Sequence, residues 1–284
     1  MDIIQRRDDH FSVQVRPEGI SRRLWVTGYS AVSPGALQGY LLDLARRLDM
    51  GKIIFPVRSS DAPAFAGHGF IEEGRIPGYF NGEDAHFLAA FPAPERSVSP
   101  TLAAEKRMLR EIRKRPGHWN YQTSSTIKIR RAVKDDAVPL AGLFRKAFDS
   151  YPTPVFDPQY LSKSMDGGHL FMVACRSGKI VAAAAAEIDY GRQRSEMSDC
   201  ATSPEYRGLG LNSALLRQIA RECASLDIRC MFSLARASSY GMNLVLHRLG
   251  YIYGGTLVNN CHIGGRLENM HIWTLPAAAQ ENAM

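Results

Sequence analysis

The sequence predicts an α/β (α+β) protein: a mixed central sheet flanked by helices. Three observations predict it. In the C-terminal half, β-branched runs alternate with amphipathic segments after an initial hairpin. The Pro- and Ser-rich "FPAPERSVSP", residues 91–100, breaks that half from an N-terminal region. Within that region "KIIFPVRSSDAPAFAGHGFIEEG" (52–74) follows an order of strand, short helix, Gly-aromatic pair and strand. "IRCMFSLARASSYGMNLVLHRLGYIYGG" (228–255) has the same order. The echo predicts either two half-sheets of similar design or two unrelated βαβ pieces. The expected division is an N-terminal α/β region at 1–98, a helical linker at 99–125 and a C-terminal domain at 126–278.

Ser99-Pro100 open a helix over 101–114, and Pro116-Gly117 stop it. "WNYQTSS" then leads to "TIKIRRA" (126–132), a strand by its β-branched alternation. "KDDAVPLAGLFRKAF" is an amphipathic helix with Asp135 or Asp136 near its start, and "DPQYLSKSM" a second helix from Asp157. "LFMVACRSGKIVAAAAAEIDY" reads as two strands around a Ser177-Gly178 turn. "RSEMSDCAT" (194–202) is a strand, followed by a glycine turn and a helix over 212–226. "IRCMFSLARA" is a strand and "SYGMNLVLHRL" a helix, with "YIYGGTLVNN" and "RLENMHIWTL" as closing strands.

Composition narrows the classes. The apolar run "IVAAAAAEI" is too short and Ala-rich to span a bilayer, and "MDIIQRRDDHF" lacks the features of a secretory signal, so a cytoplasmic protein is expected. The five cysteines are odd in number and form no Cys-x-x-Cys pair, which argues against a disulfide framework or a metal site. The net charge of +7 comes from scattered basic residues; the cluster "EKRMLREIRKRPGHW" has helical spacing, so no nucleic-acid partner is expected. A small anionic ligand accounts for the excess equally well.

"SPEYRGLGLNSALL" carries the chemistry. The first amides of a helix have no intrahelical acceptor and lie at the positive end of its dipole. Gly208 and Gly210 remove Cβ atoms on either side of Leu209, so those amides can converge on a diphosphate, with Arg207 adding a cation. The alternative is a tight strand-helix turn with no ligand. A Walker loop is excluded because no Gly-Lys-Ser/Thr follows; Ser213 stands where a dinucleotide fingerprint needs its third glycine.

The same string resembles the acyl-CoA-binding segment of the GNAT N-acetyltransferases. Arg207, Gly208, Leu209, Gly210 and Leu211 match its pattern, while Asn212 replaces a small residue. "GMNLVLHRLGYIYGGTLVNNCHIGGRLENMHIW" (241–273) and "GFIEEGRIPGYFNGEDAHFLAAF" (69–91) are similar to the β-lysine N-acetyltransferases. The resemblance implies a GNAT-like sheet, an N-terminal region like a partial GNAT half, and acetyl-CoA as cosubstrate. It also implies acetylation of the terminal amine of 3,6-diaminohexanoate, a link to lysine 2,3-aminomutase, and a role in compatible-solute accumulation. Another small amine, such as a polyamine or lysine derivative, and a module that binds acyl-CoA without catalysis are the alternatives.

The resemblance carries over main-chain cofactor contacts at Cys200, Ala201 and Thr202 and along residues 207–213, with Ser239 where an Asn often meets the cofactor. A general base is needed, because an alkylammonium has a pKa of about 10. Glu196 and Glu187 are its candidates; Asp199 falls on the opposite strand face from Glu196 by simple alternation, and Asp189 is a further carboxylate. Leu246 occupies the position of the family's usual leaving-group tyrosine, with Tyr240 or Tyr251 as substitutes. Asn243, Asn259, Asn260 and Glu268, polar residues within apolar segments, are the expected substrate contacts.

Overall fold

The apolar runs resolve into thirteen strands and seven α-helices among the described residues of the computed structural model, which are 3–65, 69–117 and 125–277. The N-terminal half comprises β1 (Ile4–Arg7), β2 (Phe11–Glu18), β3 (Arg23–Ala31), α1 (Pro34–Arg47), β4 (Lys52–Arg58), α2 (Ala62–Phe65), β5 (Ile71–Phe80) and β6 (Glu83–Ala90). Helix α3 (Leu102–Arg113) follows; of the expected "WNYQTSS" connection, residues 119–124 lie outside the described residues. The C-terminal half comprises β7 (Lys128–Arg131), α4 (Ala137–Ala147), α5 (Pro158–Asp166), β8 (Leu170–Arg176), β9 (Lys179–Asp189), β10 (Arg194–Thr202), α6 (Leu211–Ser225), β11 (Cys230–Arg236), α7 (Tyr240–Arg248), β12 (Ile252–Ile263) and β13 (Arg266–Leu275). Expected elements and observed ones agree to within a few residues. The first three strands, α1 and β6 had no reading from sequence.

All strands join one mixed sheet in the order β1-β2-β3-β4-β6-β5-β12-β13-β11-β10-β9-β8-β7. In each half an antiparallel run (β1 to β3, and β7 to β10) leads into a parallel pair (β3 with β4, β10 with β11) and an antiparallel closing hairpin. The segment β4-α2-β5-β6 therefore repeats β11-α7-β12-β13, with α1 in the place of α6. The faint echo in sequence is a repeat of topology.

The halves meet where β5 pairs with β12 through Gly74 and Gly255. The backbones touch there. A Cβ on Gly74 would stand 2.7 Å from the Gly254 carbonyl oxygen, and one on Gly254 or Gly255 would overlap the carbonyls of Arg75 or Glu73. Beside this contact Lys52, fully buried, donates to Glu73 Oε2 at 2.6 Å and to the Val258 carbonyl at 2.7 Å. Glu73 Oε1 accepts from the Val258 amide at 2.8 Å, so one buried ion pair spans β4, β5 and β12. Trp25, Ile54, Tyr79 and Phe87 share a core cluster with Phe232, Leu257 and Ile272. Strands so distant in sheet order share a core only if the sheet curls.

In the C-terminal half, α6 packs on one face of β9 and α4 on the other. Residues 182–186 of β9 are all alanine and fully buried. Their small side chains let both helices approach the sheet, which explains an apolar run that needs no membrane. Among the described residues no helix is long and apolar enough to cross one.

Candidate active site

The cleft begins where two strands part. β10 runs parallel to β11 only across Arg194↔Cys230 to Glu196↔Phe232. Past that point the ladder stops, and Ser233 Oγ donates to the Met197 carbonyl at 2.8 Å across the opening. On its other side β10 carries a bulge against β9 between Ser198 and Ala201, with Asp199 in the left-handed region at φ 48°. A bulge adds a residue and turns its side chain out of strict alternation. Asp199 and Glu196 accordingly line the same cleft, which corrects the opposite-face expectation.

Beyond Thr202 the chain makes a 3-10 turn over Pro204–Tyr206, then Gly208 (φ +78°) and Gly210 (φ +68°), and α6 starts at Leu211. Gly210 is the N-cap, and no side chain caps the helix. The first amides of α6 thus open into the cleft beside two left-handed glycines, a geometry that L side chains resist. Gly208, Gly210, Leu211, Asn212 and Ser213 line it, as do Arg207, Cys200, Ala201, Thr202 and Ser239. Of the expected cofactor residues, Leu209 is turned to solvent, 44% exposed, and is not among the lining residues. Thr202 Oγ1 donates to Asn212 Oδ1 at 3.1 Å, tying the helix start to the end of β10. Ser239 Oγ caps α7 by accepting from the Met242 amide at 3.4 Å. Burial pushes the Cys200 thiol up to about 12, which keeps it from serving as a nucleophile at neutral pH.

The splayed strands and glycine turn line a continuous cavity of about 1310 Å³. Carboxyls line it too. Glu187 sits directly opposite Glu196 across the β9–β10 pair. Burial, then the Glu187 charge, pushes Glu196 up to about 8, while Arg23 and Arg16 pull the other way. Asp199 is pushed up to about 7, again by burial and then Glu187. Tyr151 and Tyr160 also line the cavity. Asp189, by contrast, is ion-paired with Arg192 and Arg194.

The four expected substrate residues separate sharply. Asn243 is fully buried; its amide donates to the carbonyls of Arg236 and Ser239 and accepts from Trp273 Nε1 at 2.8 Å. Asn259 (φ 43°) donates to the carbonyls of Arg96 and Val98, pinning the segment before α3. Glu268 accepts from Ser238 Oγ and Arg266 Nε, both at 2.8 Å. These three hold the fold together and lie outside the cleft lining. Only Asn260 lines the cleft, and neither of its amide atoms has a hydrogen-bond partner among the described residues.

Neither substitute tyrosine reaches the cleft. Tyr240 faces solvent, and Tyr251 lies in the core under α6 with Leu246. Sequence reasoning missed the N-terminal contribution altogether: Arg16, Glu18, Ser21, Arg23 and Trp25, from β2, β3 and their turn, form one wall. Their proximity depends on the curl of the sheet, and no local signal announces it.

The Acetyltransferase (GNAT) family model matches residues 138–251. The chain is 36% identical over 259 residues to the N-acetyltransferase YodP of Bacillus subtilis, covering 90% of this chain and 93% of that protein. It is 33% identical over 260 residues to the beta-lysine N(6)-acetyltransferase of Methanosarcina mazei, covering 84% and 95%. Among solved structures, a putative acetyltransferase from Salmonella typhimurium with its cofactor acetyl-CoA aligns at 16% identity, TM-score 0.46, over 54% of this chain and 95% of that one.

Proposed function

Because the chain belongs to the GNAT acetyltransferase family and is an acyltransferase by that membership, we infer that it transfers the acetyl group of acetyl-CoA to the terminal amine of β-lysine, giving N6-acetyl-β-lysine. One observation carries this reading: an uncapped helix start behind two left-handed glycines opens into the same cleft as a half-buried carboxylate pair. The name of the Methanosarcina relative supports the substrate.

The residues present fit the cosubstrate. The amides opening α6 and the Arg207 guanidinium hold its diphosphate, and the unpaired edge of Cys200, Ala201 and Thr202 receives its pantetheine arm as an added strand. Acetyl-CoA supplies the thioester carbonyl. Main-chain amides at the bulge then stand ready to stabilise the oxyanion that develops on it. Glu196, ionised and facing Glu187, takes a proton from the substrate ammonium. The neutral amine forms the new C–N bond as the C–S bond breaks, and the nitrogen gives up its second proton. The departing thiolate takes one proton up, so one is released overall; its pKa of roughly 8.5 to 9 permits departure without a dedicated acid. A reaction that moves the amino group of lysine from carbon 2 to carbon 3 must supply the substrate.

Free-thiol release during incubation with acetyl-CoA and a panel of amines tests the reading. Release with β-lysine well above that with spermidine or lysine is the expected result. Acetyl-CoA binding with no thiol released by any amine would mean a binding module without catalysis.

A further inference from the structure

The cleft's charge is arranged in two parts. Glu187, Glu196 and Asp199 stand on β9 and β10, and a basic wall carrying Arg16 and Arg23 comes from the N-terminal half. Two bonds fix that wall in place: Arg23 Nη1 donates to the Asn260 carbonyl at 3.0 Å, and Ser21 Oγ accepts from the His262 amide at 3.2 Å. Arg23 is fully committed, since it also pairs with Glu18 and lies 5.1 Å over the Trp25 ring. It is only 8% exposed. Arg16 differs. It pairs with Glu18 Oε1 at 3.1 Å, and half of its side chain is open to the cavity or solvent.

Asn260 completes the picture. It is 1% exposed, lines the cleft, and leaves both Oδ1 and Nδ2 without a partner among the described residues. A buried amide without partners costs about 1–3 kcal/mol, and a ligand that satisfies it recovers that loss. Its Nδ2 donates and the Arg16 guanidinium donates; a carboxylate accepts from both.

We propose that the N-terminal half supplies a carboxylate subsite, in which Arg16, oriented by Glu18, and Asn260 bind the acid group of a zwitterionic diamine. The proposal rests on the amine-acetylating reading above and refines it. A polyamine would bring only positive charge towards Arg16 and Arg23. A molecule with an ammonium at one end and a carboxylate at the other matches both parts of the cleft. Selection of the amino acid over the simple amine is thus the task of the half that lacks a glycine turn of its own.

The probe pair is β-lysine and 1,4-diaminopentane, which keeps both amines and drops the acid group. The wild-type protein should favour β-lysine in kcat/KM on the order of 10- to 100-fold, as loss of a charge-assisted pair predicts. Arg16→Leu should bring that ratio close to unity by raising KM for β-lysine, and Arg16→Lys should restore part of it. The Kd for acetyl-CoA, measured on the same variants, reports intact folding and should not move. An unchanged ratio in Arg16→Leu overturns the subsite. Should the wild type release thiol with neither amine, the amine reading fails by itself, and calorimetric titration of β-lysine decides the subsite: equal affinity in wild type and Arg16→Leu overturns it.

Discussion

Glu196 concentrates the chemistry of the site in one side chain. Burial and the facing Glu187 hold its proton until about pH 8. A carboxyl whose folded pKa lies above its ordinary value of 4.5 favours the fold most below that value, and the contribution is lost as pH rises through about 8. Glu196→Gln should therefore raise the melting temperature of the ligand-free protein at pH 9 by a few degrees, and leave it nearly unchanged at pH 5. The same substitution should lower kcat/KM by about 10²- to 10⁴-fold if the carboxylate is the general base. It should also abolish the rise in rate with pH that a base of this pKa imposes. A variant with an unaltered pH–rate profile would remove Glu196 from that role. Asn243 makes the opposite case. Its amide joins α7 to Trp273, so Asn243→Ala should cost about 1–3 kcal/mol in denaturant unfolding with KM for the amine unmoved.

At the scale of elements, the informative unit is β10, the glycine turn and α6. The turn was legible because glycine spacing and a following amphipathic helix are local signals, and α6 starts within one residue of its expected position. The bulge at Asp199 and the parting of β10 from β11 were not legible, since both depend on which strands pair and where they stop. Gly208 offers a clean probe of the turn. A Cβ there meets nothing within 4 Å, so Gly208→Ala disturbs only the left-handed backbone at φ +78° and the space a ligand would use. It should weaken acetyl-CoA binding about tenfold or more, given the strain such a backbone imposes on alanine; calorimetry checks this. Full affinity would place the diphosphate elsewhere.

Across the whole molecule, two half-sheets of like topology are joined by a glycine contact and a buried ion pair. Lys52 and Glu73 are both nearly inaccessible, at 0% and 3% of side-chain exposure. Removing one partner leaves the other charge unpaired in the interior. Lys52→Ala should cost about 3–5 kcal/mol, and the double replacement Lys52→Met with Glu73→Leu considerably less; denaturant unfolding of the three proteins separates these outcomes. Equal costs would mean that packing, not charge, sets the penalty. The "YIYGGTLVNN" run gains its meaning only here: Gly254 and Gly255 admit the backbone of β5, and Asn259 anchors the segment leading into α3.

Local rules sufficed for what local physics controls. Periodicity, turn residues and the glycine spacing determined the order of elements in the C-terminal half, the start of α6 and the family resemblance, because each depends on neighbours within a few residues. The tertiary structure alone decided which polar residues face the cleft. Asn243, Asn259 and Asn260 have the same chemistry and similar apolar surroundings in sequence. Only the bends in β12 and the groups that happen to pack beside each one leave Asn260 unpartnered in the cavity. The basic wall from residues 16–25 is likewise a product of sheet curvature, which brings together segments more than 200 residues apart.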